Sequence, residues 1–232
     1  MKNKRIAYFA LLGAAVVLLL LLQPHLPFSN PSVGANQAED VLNIKRESGE
    51  ALELHISDLP LYKAYLDTQD DIATEVERTQ YELLPLSKTD SYLLLKYNCG
   101  NKQCSTLLVK VSGAEVASIG LPDGIFGDYK LSPDRNKLLV RYGYNEGNQV
   151  VRHIIVATDL EKMEVIPLSP ASATKAYAEV PTWPITDYEW TDDNHFSIWV
   201  ADTGSTDFSA LAKWFSAEVQ KTKEIQIALA PL

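Results

Sequence analysis

The apolar residues of this chain fall into three successive patterns, and each predicts a different kind of structure. The first is an uninterrupted block, Ile6–Leu22, reading IAYFALLGAAVVLLLLL. With no charge and almost no polar atom, it reads as a membrane-spanning helix, which needs about 20 such residues. Lys2, Lys4 and Arg5 lie directly before it. Basic flanks stay in the cytoplasm, so residues 1–5 are expected inside and everything after Leu22 outside. A cleaved signal peptide is the alternative, but it needs small residues soon after the apolar core. The first such site, Val33-Gly34-Ala35, lies well downstream. An uncleaved, single-pass anchor is therefore the expectation, with residues 6–22 in contact with membrane lipid.

The second pattern is short-range. Residues 23–40 are rich in Pro, Ser, Asn, Gln and Ala and read as an extended tether. In residues 41–80, Leu52, Leu54 and Ile56 alternate with Glu53 and His55, the period of a half-buried strand. With Val41–Arg46 they form a predicted hairpin, turning at Glu47–Glu50. Asp58-Leu59-Pro60 signals a helix start, with Asp58 as cap and Leu59, Tyr62 and Leu66 on one face. Residues 70–79 are polar and read as a second short helix or a loop.

The third pattern repeats. Residues 81–121, 128–168 and 187–229 each open with a short apolar strand, pass a polar turn and continue in a stronger strand. Those second strands are Tyr92–Tyr97, Lys137–Tyr142 and His195–Val200. A Gly-containing loop follows, then a third strand (Thr106–Val111, Val150–Ala157, Leu211–Val219) and a closing fourth. Four short strands joined by tight turns make an antiparallel meander, and repetition of that unit marks propeller blades. The predicted fold class is thus all-β: repeated four-stranded meanders in a partial or open propeller-like array. It carries a small N-terminal hairpin and helix region and one N-terminal transmembrane helix. A plain β-sandwich built from the same strands is the competing fold.

The middle unit resembles the WD-repeat-like blades of TolB-type β-propellers. The resemblance lies in Tyr129-Lys-Leu-Ser-Pro-Asp-Arg-Asn-Lys-Leu-Leu-Val140, a strand, a Ser-Pro-Asp turn and an apolar strand. It extends loosely to Ser87-Lys-Thr and Thr191-Asp-Asp in the flanking units. The family has a Gly after the Asp, where this chain has Arg135. The resemblance implies a scaffold and no particular chemistry. Three blades are too few to close a ring, which takes about 4 to 8. An open array leaves exposed strand edges, which favour a partner or self-association.

Charge sharpens the picture. The 232 residues carry 21 Lys and Arg against 30 Asp and Glu, a net charge of −9. The part after the anchor is more acidic still, because Lys2, Lys4 and Arg5 belong to the flank. Such a surface repels nucleic acid, so none is expected as a partner. No usable glycosylation sequon is present, since Pro31 follows Asn30. The expected setting is a bacterial cell envelope. The two cysteines, Cys99 and Cys104, flank a short loop between strand-like runs, and outside the cytoplasm they are expected to form a disulfide.

Candidate chemistry is sparse. Ser172-Ala-Thr-Lys175 matches the Ser-x-x-Lys of penicillin-interacting enzymes, but no Lys-Thr-Gly strand follows. Acid clusters at Asp70-Asp71, Asp192-Asp193-Asn194 and 202–207 lack EF-hand spacing and coincide with turns. The four histidines match no catalytic motif. No catalytic residue, metal site or cofactor is therefore assigned. Trp199 and Trp214 are expected to meet across a hairpin and form an interaction surface. The expectation is a membrane-anchored, extracytoplasmic binding module that engages an envelope or membrane protein, or itself, and is not an enzyme. An envelope hydrolase and a calcium-binding module are the alternatives.

Overall fold

The computed structural model describes residues 34–35, 41–46, 49, 51–87, 89–100 and 103–231. The apolar run Ile6–Leu22, its basic flank and the tether apart from Gly34–Ala35 lie outside them. Among the described residues no helix is long and apolar enough to cross a membrane. Those residues are mostly antiparallel β-sheet with few helices.

The N-terminal hairpin is β2 (Val41–Lys45) against β3 (Ala51–His55). The end of the expected tether joins it: β1 (Gly34–Ala35) pairs with Leu42 and Asn43. Helices α1 (Pro60–Leu66) and α2 (Ile72–Arg78) follow. Asp58 does not cap α1; it lies in a preceding 3-10 turn, and Pro60 opens the helix. Proline suits that position because its missing N–H has no partner there in any case. Asp71 caps α2 by accepting from the Thr74 backbone N–H.

A seven-stranded antiparallel sheet contains the first two predicted units. Its strands are β4 (Gln80–Leu84), β5 (Ser91–Tyr97), β6 (Cys104–Ser112), β7 (Glu115–Leu131), β8 (Lys137–Glu146), β9 (Val150–Asp159) and β10 (Glu164–Ile166), neighbours in chain order. The sequence predicts two separate strands within 115–131, with a loop between. Instead one 17-residue strand serves both units. Residues 115–124 of β7 pair with β6, and residues 125–131 pair with β8. Pro122 and Asp123 fall at a bulge near the end of the β6 ladder, between the paired residues Leu121 and Gly124. Pro122 has no N–H to donate, and at this bulge none is required.

The third sheet has the order β11 (Leu168–Ser169), β14 (Thr222–Leu229), β13 (His195–Ala201) and β12 (Ile185–Trp190). Here the sequence reading fails. The strand expected at Leu211–Val219 is helix α4 (Phe208–Phe215), and β13 pairs directly with β14. Unit three is thus three strands and a helix, and its fourth strand comes from upstream. A short helix, α3 (Ala171–Thr174), lies between β11 and β12 in sequence.

Three apolar seams stack these sheets face to face. Leu42, Ile44, Leu52 and Leu54, with Leu59 just before α1 and Tyr62 and Leu66 on it, pack on Leu93, Leu95, Leu107 and Val109. The opposite face of the same strands, Tyr92, Leu94 and Leu108, packs on Leu138, Val140, Tyr142, Ile154 and Val156. Beyond these, Leu139, Ile155 and Ala157 meet Tyr188, Phe196, Ile198, Val200 and Ile227 of the third sheet. Strands β5 and β8 are therefore buried on both faces. That is why Leu93-Leu94-Leu95 and Leu138-Leu139-Val140 are continuous apolar runs, all fully buried. Among the described residues the three sheets share no ladder.

The Ser-Pro-Asp turn explains its own residues. Ser132 Oγ accepts from the Lys137 backbone N–H and Asp134 Oδ1 from that of Asn136. Arg135 adopts φ +62°, the left-handed conformation for which glycine is the usual choice. Its guanidinium instead donates to the carbonyls of Pro85 and Leu86, tying the turn to the neighbouring sheet half.

Candidate functional site

The disulfide joins Cys99 and Cys104 across the β5–β6 connection. The predicted tryptophan pair does not form. Trp214 sits on α4 because Leu211 and Trp214 are three residues apart, the spacing of one helix face. Both are buried against Val150 and Ala201. The indole N–H of Trp214 donates to the Lys221 carbonyl. Trp199 is half-buried on β13, paired with Asp187 and Glu224. It therefore lies on the sheet face opposite Phe196, Ile198 and Val200, and no ring contact joins it to Trp214.

The other sequence candidates are turns or solvated side chains. Ser172 and Lys175 are exposed, and the bond between them is the Lys175 backbone N–H to the Ser172 carbonyl, with none between their side chains. Asp192 accepts from the backbone N–H groups of Asn194 and His195, which is ordinary turn chemistry. Among the described residues no three His, Cys, Asp or Glu side chains converge on a point.

The most elaborate polar group is a brace in the seam between β8–β9 and the third sheet. Asp128 holds Arg141 through two bonds, Oδ1 to Nε at 3.0 Å and Oδ2 to an amino nitrogen at 2.7 Å. The remaining Arg141 amino group donates to the carbonyls of Ile185 and Thr186. Tyr188 donates its hydroxyl to Asp128, and Lys130 caps the Tyr188 carbonyl at 2.6 Å. Burial, with the Asp128 carboxylate next, raises the Tyr188 pKa. The His153 Nδ1 accepts the Ile185 backbone N–H at 3.0 Å, which leaves the ring neutral with its proton on Nε2. Burial lowers the His153 pKa to about 4, Arg141 reinforces the shift and Asp128 opposes it. Each of these groups has its partner in the fold itself, so the brace fastens two sheets and presents no unused chemistry.

The seam inside the seven-stranded sheet is different. Where β7 changes partners, a cavity of about 330 Å³ opens, lined by Lys96, Gln103, Thr106, Gly124, Ile125 and Phe126 beside Cys104 and Gly100. Lys96 and Thr106 are cross-strand neighbours on β5 and β6, so their side chains share one face. The Lys96 ammonium lies 4.4 Å over the centre of the Phe126 ring and 3.4 Å from Glu82 Oε2. Gly124 lets β7 pass close by: a Cβ there would stand 3.1 Å from both the Tyr142 Cβ and the Tyr144 ring. The hydroxyl of Tyr142 is buried, which raises its pKa, and neighbouring Thr106 moderates the rise. Neither hydroxyl has an aligned hydrogen bond. None of these residues stands out in the sequence except Lys96, a lone charge interrupting the apolar strand 92–97.

No family model, curated protein or solved structure matches this chain.

Proposed function

We propose that the protein is a non-enzymatic interaction module held at the outer face of a cell membrane by residues 6–22. The observation that carries this reading is the uncharged run Ile6–Leu22 directly behind Lys2, Lys4 and Arg5. The Cys99–Cys104 disulfide supports the outer location, since such bonds persist in oxidising compartments. The turn and seam networks support a scaffold, because their polar groups are engaged with one another. In this reading the stacked sheets are an open, propeller-like array, completed by a membrane or envelope protein or by a second copy. Among the described residues its edge strands include β4 and β10 of the large sheet and β11 and β12 of the last, where Arg141 and Lys130 engage carbonyls of β12. Unpaired edges are natural pairing surfaces. Trp199, central on the outer face of the last sheet, belongs to the contact surface. The test is twofold. Protease added to intact cells should degrade the β domain, and in-cell crosslinking should trap it with a partner or a second copy. A domain that resists protease until the cells are opened overturns the location. A chain that crosslinks to nothing overturns the interaction.

A further inference from the structure

We propose that the cavity at the β7 changeover binds a small carboxylate with an apolar body, Lys96 supplying the charge. The inference goes beyond the anchored scaffold and does not depend on it. Three buried side-chain atoms lack a hydrogen-bond partner among the described residues: Arg46 Nε, Thr106 Oγ1 and the Tyr142 hydroxyl. Two of the three sit together at this changeover. Both lie behind the cavity, where polar groups are less completely satisfied than elsewhere among the described residues.

Lys96 points the same way. Its side chain is only 13% exposed, and its one acceptor among the described residues is Glu82 at 3.4 Å. An ammonium has three donors, and a largely desolvated one calls for more than one distant acceptor. The Phe126 face steadies the cation and leaves the cavity side to a ligand. A carboxylate answers with short charge-assisted bonds to the ammonium. Ile125 and Phe126 offer the apolar wall for its body. At ~30 Å³ per water-sized group, the space holds about ten non-hydrogen atoms. The chain's net charge of −9 repels anions at a distance. That repulsion is screened beyond about 8 Å at physiological ionic strength, whereas Lys96 acts at contact.

The full chain in detergent is titrated with acetate, phenylacetate and the neutral isostere phenylacetamide, reading the melting temperature. Phenylacetate should raise it saturably, acetate should do so more weakly, and phenylacetamide should leave it unchanged. Lys96→Met, which keeps the apolar stem, should weaken phenylacetate binding at least about tenfold. Glu82→Gln removes the competing carboxylate and should tighten binding, an effect that a folding defect would not mimic. Equal responses to phenylacetate and phenylacetamide overturn the proposal. So does the lack of a saturable response to either carboxylate, or binding unchanged in both Lys96→Met and Glu82→Gln.

Discussion

Two seams of this molecule join sheets of the same kind and treat their polar groups in opposite ways. Between β8–β9 and the third sheet, Asp128, Arg141, Tyr188, Lys130 and His153 share donors and acceptors until each has a partner. Between the halves of the seven-stranded sheet, Lys96 has one long hydrogen bond, and the neighbouring Thr106 and Tyr142 hydroxyls have no aligned one. Apolar packing is equally complete in both, with Phe196, Ile198 and Val200 in one and Leu94, Leu108 and Val140 in the other fully buried. Burial of apolar area therefore does not separate a structural seam from a candidate site. Hydrogen-bond satisfaction does: a charged group with all its partners in the fold is a fastener, and one without them is available.

The largest expected effect tests the apolar half of that comparison. Phe196→Ala, at the fully buried centre of the third seam, should cost about 3–5 kcal/mol in urea unfolding of the full chain in detergent. A loss below about 1 kcal/mol would mean that the last sheet is not held by this seam. Next comes pH. His153 is neutral in the fold with a pKa lowered to about 4, while the unfolded chain takes up its proton near 6.5. The unfolded state binds the extra proton between those values, so the contribution is neutral above about 6.5. Stability should fall by up to about 3 kcal/mol as pH drops to 4. His153→Asn, whose carbonyl replaces Nδ1 as acceptor, should flatten that slope, and an unchanged slope would assign it to other groups.

Arg141→Met keeps the stem and removes the head of the brace. Since Asp128 is partly solvated, the expected loss is about 2 kcal/mol, not the larger figure for a wholly buried pair. Reducing Cys99–Cys104 should lower stability by about 1–2 kcal/mol without unfolding the domain, because the loop it closes is short. The smallest effect has the opposite sign. Thr106→Val removes an unpaired buried hydroxyl and should raise the ligand-free melting temperature, by about 1 kcal/mol of stability. A destabilised Thr106→Val would show that the hydroxyl has a partner in solution and would remove the contrast between the seams.

Much of the β architecture was legible because alternation and continuous apolar runs record burial directly. Leu52 and Leu54 are buried and Glu53 and His55 exposed, as a one-sided strand requires. Two elements misled for identifiable reasons. Gly120, Pro122, Gly124 and Gly127 read as a loop, yet a strand exchanging partners can hold residues that an unbroken ladder rejects. The repeat predicts a third strand at Leu211–Val219, where the chain instead forms the helix Phe208–Phe215. Its local spacing, Leu211 to Trp214 with Phe208 and Phe215, was already helical. The brace and the cavity were illegible because their members lie far apart in sequence, as with Asp128 and Tyr188. No local pattern reports a meeting of that kind.

The undivided β7 bears on how this architecture comes apart and how it was assembled. Solenoid repeats can be added or deleted singly because each ends before the next begins. Here the closing strand of one unit is the opening strand of the next, so a cut at either unit's boundary severs both. Residues 80–166 should accordingly melt in one step and be inherited whole, and duplications or circular permutations should be tolerated only where a strand belongs to a single ladder.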